Sequence, residues 1–82
     1  MTTEDAIEQL STALSLLNEP VLDKEAMRTL TRGLLDAKHT RYLDEGLATS
    51  DKGLIAHAIL GALSHHEAEK EKNAREKLSF RH

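Results

Sequence analysis

Histidine is the side chain best equipped for chemistry in this chain, and there are five: His39, His57, His65, His66 and His82. An imidazole titrates near neutral pH and ligates transition metals, so such a set raises proton transfer, metal binding and pH-sensitive contacts. A helix-borne metal site needs ligands at i and i+3 or i+4, as in HExxH. His65 and Glu69 have that spacing, but no second histidine joins them on the turn. His57 and His65 stand two turns apart, about 12 Å at 1.5 Å per residue. No ExxH pair of the kind that builds a di-iron bundle occurs. Histidine-dependent metal binding is a secondary reading; the primary one leaves His57 in solvent and lets His66 close the core beside Ile59 and Ala62.

Other chemistries find less. Cysteine is absent, which removes thiol nucleophiles, disulfide scaffolds and cysteine-ligated metals. Neither a glycine-rich phosphate loop nor a GxSxG elbow is present. Serine, histidine and aspartate all occur, but a triad depends on convergence in space. One Tyr and one Phe are the only aromatics, few for a pocket that grips a small substrate. A non-enzyme without a cofactor is the expectation. Arg28 and Arg32 stand one turn apart with Asp36 one turn further. That spacing suits an Arg32–Asp36 ion pair on a solvated face; Arg28 and Arg32 are also the candidate contacts for an acidic partner.

Charge narrows the partners. The 82 residues carry a net charge of −3, and within 1–25 six acids (Glu4, Asp5, Glu8, Glu19, Asp23, Glu25) face one cation, Lys24. A nucleic-acid binder normally presents a basic face that releases counterions. The start MTTEDAIEQL is acidic where a targeting signal would be basic. The apolar run from Leu54 to Leu63 is interrupted by His57 and too short to span a bilayer. These features predict a cytoplasmic protein with no membrane partner.

Three stretches with helical spacing position these groups. The first runs from Thr3 to Leu17, with Thr2 as N-cap and Ile7, Leu10, Leu14 and Leu17 in 3-4-3 rhythm, until Pro20 stops it. The second starts after Asp23 and reaches toward Glu45, with Met27, Leu30, Leu34 and Ala37 on one stripe. Its register then fails. Lys38 and Arg41 fall on the stripe, while Leu43 and Leu47 fall opposite, so the helix bends between Gly33 and His39 or packs its second half differently. Gly46 is placed as its C-cap. The third begins at Ser50 as N-cap and continues to Leu78. From Leu54 to Leu63 its apolar side chains cover about 240° of the wheel. From His65 it turns polar.

The fold expected is all-α: a three-helix bundle-like single domain over residues 1–82, its second helix bent or packing its second half differently, with 67–82 a polar helical extension or tail. A cysteine-free chain of this size is marginal as a monomer, and the wide apolar arc offers a second surface, so a helical homodimer is expected. The expected seam is Ile7, Leu10, Leu14, Met27, Leu30, Leu34, Ile55, Ile59 and Leu63. The expected association surface is Leu43, Leu47, Leu54, Ala58 and Leu60, with Phe80 as a docking anchor in the tail. The function that follows is non-enzymatic protein–protein interaction: a small adaptor, regulator or inhibitor that binds an unidentified protein partner. A nucleic-acid-associated transcriptional regulator is the alternative, and the metal protein the second.

Overall fold

Four helices, where three are expected, make up the computed structural model, which describes residues 2–79 and side chains through residue 75. Helix α1 spans Thr3–Leu16. A reciprocal cap starts it: the Thr2 hydroxyl accepts the Asp5 N–H at 3.1 Å, and the Asp5 carboxylate accepts the Thr2 N–H at 3.3 Å. Its buried face is Ala6, Leu10 and Ala13, with Ile7 and Leu14 half-buried at the margin.

The expected second helix is two. Helix α2 spans Lys24–Thr31, capped by the Asp23 carboxylate on the Ala26 N–H at 3.0 Å. It stops where Gly33 takes φ +74°, a left-handed conformation that glycine alone adopts freely. Asp36 then caps a new helix, α3, Ala37–Thr49, through the His39 N–H at 2.7 Å. The failed register is thereby explained. Leu43 and Leu47 lie on a separate helix whose core face is set independently of α2.

Gly46 does not end α3, contrary to expectation; it is buried three residues before the end. Ser50 supplies the left-handed residue at φ 54°, and the Asp51 N–H closes on the Gly46 carbonyl at 2.8 Å. Ser50 is therefore not the N-cap of the last helix either. Asp51 is, its carboxylate accepting the Leu54 N–H at 3.1 Å. Helix α4 runs unbroken over Lys52–Ser79.

Two contacts fix α4 antiparallel to α1. Lys70 lies 3.5 Å from Glu4 near the start of α1, and Lys52 donates to the Glu19 carbonyl past its end at 3.0 Å. Helices α3 and α4 form an antiparallel hairpin, α2 packs on α1, and Arg28 joins α2 to Asp44 of α3 at 3.0 Å. Helix α4 thus lies between α1 and α3 and meets its wide apolar arc with both, burying Ile55, Ala58, Ile59 and Ala62. These join Leu10, Ala13, Met27, Leu43 and Leu47 in one core. The expected seam residues Leu10, Met27, Ile55 and Ile59 are fully buried, whereas Leu14, Leu30, Leu34 and Leu63 pack half-buried around them. Residues 71–75 are exposed. Among the described residues no helix is long and apolar enough to cross a membrane.

Candidate functional site

The expected association surface divides in three. Leu43 at 4% exposure, Leu47 at 1% and Ala58 at 0% are core, so they offer no surface to a partner in this fold. The break after α2 is the cause: α3 turns both leucines inward, onto α4. Leu54 is half-buried. Leu60 remains outside, at 50% exposure. Helical spacing sets Ala56, Leu60 and Leu63 at i, i+4 and i+7, a stripe in which only Leu60 stands clear and its neighbours are half-buried. Phe80 lies outside the described residues.

Sequence spacing missed a second apolar position. Val21, in the turn between α1 and α2, is 79% exposed. With Leu16, Pro20 and Leu22 it lines an open groove of about 740 Å³. Loop valines follow no helical period, so the only available signal was a large aliphatic residue beside proline.

The arginines are arranged differently from expectation. Arg28 pairs with Asp44, not with its own helix. Arg32 is exposed at the C-cap of α2, and the expected Arg32–Asp36 pair does not form because the helix ends between them. Asp36 instead binds His39 twice, accepting its backbone N–H and its ring Nδ1, each at 2.7 Å.

That pair opens onto a cleft of about 270 Å³ between the α2–α3 linker and α4, where His39, His65 and His66 converge. The His39 ring rests on Gly61 of α4; a methyl group there would collide with Nε2. His66 is half-buried, and its Nε2 lies 2.9 Å from the Leu34 carbonyl, across the chain from its own helix. His57 is exposed, with its ring centroid 5.5 Å from that of Tyr42 and 6.5 Å from that of His39. His82 lies outside the described residues.

The chemistry open to this cluster is limited by its geometry. Asp36–His39 has the form of a carboxylate orienting an imidazole. Yet the far nitrogen is seated on Gly61, and among the described residues no serine hydroxyl joins it. No group of three or more His, Asp or Glu side chains among the described residues is placed to hold a metal ion. Comparison with known protein families, curated proteins and solved structures finds no match to this chain.

The Asp36 carboxyl is held below its ordinary range, first by the His39 N–H and then by the His39 ring, which both favour the anion. The folded value is lower than the unfolded one. Asp36 therefore adds stability above the ordinary carboxylate value of 3.8, and the contribution is lost as pH falls through the depressed one. Asparagine keeps the capping oxygen and removes the charge. Urea titrations of wild type and Asp36→Asn should differ at neutral pH, begin to approach each other only below the ordinary value of 3.8, and converge once the pH is under the depressed one. Curves that stay parallel throughout would contradict this role for the carboxylate.

Proposed function

We propose that the chain is a non-enzymatic protein–protein interaction module, a small adaptor, regulator or inhibitor that acts by occupying a partner's surface. The observation that carries this reading is Leu60. It stands half exposed on the helix that organises the core, while the neighbouring apolar positions of that helix are turned inward or half-covered. An aliphatic side chain held on a rigid helix loses little entropy when it docks, which is what an interface anchor needs. Charge supports a protein partner over nucleic acid. Arg28, Lys70 and Arg75 each have a carboxylate partner, Asp44, Glu4 and Glu71, and so do not add up to a basic face.

A second copy of the chain is the partner to test first, because self-association supplies the burial that a small domain lacks. Sedimentation at micromolar concentration distinguishes a dimer from a 9.1 kDa monomer. The discriminating variant is Leu60→Asp, which places a charge where the wild type offers an aliphatic surface and leaves the core intact. It should abolish the dimer or, if the chain is monomeric, reduce by about tenfold or more the protein captured from source cells, with an unchanged circular dichroism spectrum. Undiminished self-association and capture in the variant would remove Leu60 from the interface.

A further inference from the structure

Leu60 belongs to a longer exposed stripe on α4. Gly53, His57, Leu60, Ser64, Glu67 and Glu71 are all exposed. Their spacing is 4-3-4-3-4, the rhythm with which one helix lies along another. Half-buried Ala56 and Leu63 widen the apolar patch around Leu60. Gly53 and Ser64 carry little side chain, so a second helix can come close over Leu60. Helices α1 and α3 occupy the other sides of α4 and leave this one open.

The two ends of the stripe carry opposite, uncompensated charges. Lys52 donates to the Glu19 carbonyl, a neutral acceptor, and forms no ion pair among the described residues. Glu67 forms none either, because Lys70 is held by Glu4 and Arg75 by Glu71. Asp51, the acid at the start of α4, is turned onto the Leu54 N–H as its cap. At 100° per residue Lys52 and Lys70 share one angle, the side on which both meet α1, and Glu67 lies about 60° from it. A twofold axis at Leu60 pairs two α4 helices antiparallel, residue 60+n level with residue 60−n, and keeps the α1 sides together. Glu67 then stands level with the partner's Gly53 and beside the partner's Lys52, twice by symmetry. A parallel pair would instead set Lys52 on Lys52 and Glu67 on Glu67, like charge against like.

We propose, on the reading of Leu60 as an interface anchor, that a second copy of the chain occupies this stripe. The two α4 helices dock antiparallel with Leu60 at the centre, and Glu67–Lys52 pairs between the copies set that direction.

The chain has no cysteine, so introduced thiols report the geometry without background. In the antiparallel pair, positions 53 and 67 of opposite copies are level, whereas 67 and 67 stand about 21 Å apart along the axis at 1.5 Å per residue. A disulfide joins Cα atoms no more than about 7 Å apart. Oxidation of mixed Gly53→Cys and Glu67→Cys chains should therefore yield the mixed crosslinked dimer, while each variant alone stays unlinked. Charge reversal gives a second readout by sedimentation. Lys52→Glu and Glu67→Lys should each raise the dimer dissociation constant about tenfold, and the double variant should return to within about threefold of wild type. All four positions changed are exposed, and circular dichroism verifies that each variant is folded. Self-linking of Glu67→Cys, additive weakening in the double variant, or a wild type still monomeric at about 100 μM overturns the arrangement. Each of these outcomes leaves Leu60 available to a different protein, so the reading of Leu60 falls only on the result for Leu60→Asp.

Discussion

Ile59→Ala lowers the unfolding free energy by about 2–4 kcal/mol. Ile59 is fully buried on α4, the helix that packs against both α1 and α3. The substitution deletes three carbons from the middle of a core built almost entirely from aliphatic side chains. Backbones on both sides are held by capped helices, so the space closes only in part. A domain of this size has about 4–12 kcal/mol in total, and about 4–8 °C of melting temperature follows each kcal/mol. Thermal unfolding followed at 222 nm should therefore shift down by about 8–32 °C. A shift of only a degree or two would mean that α4 does not hold the centre of the core.

Gly46→Ala is the second large effect, and its sign opposes helix propensity. In an exposed helix interior, alanine gains about 1 kcal/mol over glycine. At Gly46 the added methyl would stand 2.7 Å from Cγ1 of Ile55, 3.1 Å from the Ile55 backbone nitrogen and 3.3 Å from the Asp51 carbonyl. The isoleucine side chain is itself fully buried and the other two atoms are backbone, so α3 and α4 must separate. Overpacking of this kind costs about 1–3 kcal/mol, enough to outweigh the propensity gain. Gly53→Ala is the internal control. Its methyl meets only the Asp51 carboxylate, at 3.3 Å, and should raise stability slightly. Chemical denaturation of the two variants should move the midpoint in opposite directions; movement in the same direction would refute close approach as the reason for glycine at 46.

These two glycines show how far the sequence could be read. Helical spacing located α1, and hydroxyl or carboxylate caps at Thr2 and Asp23 marked the true starts of α1 and α2. The stripe change after Ala37 was visible, but it allowed a bend as well as a break. The deciding feature, left-handed geometry at Gly33, is a backbone property that a one-dimensional pattern does not carry. Gly46 was misplaced for a related reason: a glycine that admits a neighbouring helix looks the same in sequence as one that ends its own. Leu43 and Leu47 followed from that ambiguity. Read as part of one long helix they point away from the core, whereas on a separate helix they form it. The histidine cleft was illegible because His39, Gly61 and His66 come from two helices, with the Leu34 carbonyl supplied by the intervening linker. Leu60, by contrast, was readable as an apolar residue near the edge of an overfull arc.

The central place of α4 also sets an order of events during synthesis. It is the last of the four helices in chain order, yet α1 and α3 both bury their apolar faces against it. A nascent chain on the ribosome can assemble α1 with α2, but it has nothing to cover Leu43 and Leu47 until Ile55, Ile59 and Ala62 have emerged. Translation adds roughly 5–20 residues per second. For about a second, then, α3 would exist with its leucines open to solvent and to any chaperone or partner present at the tunnel mouth.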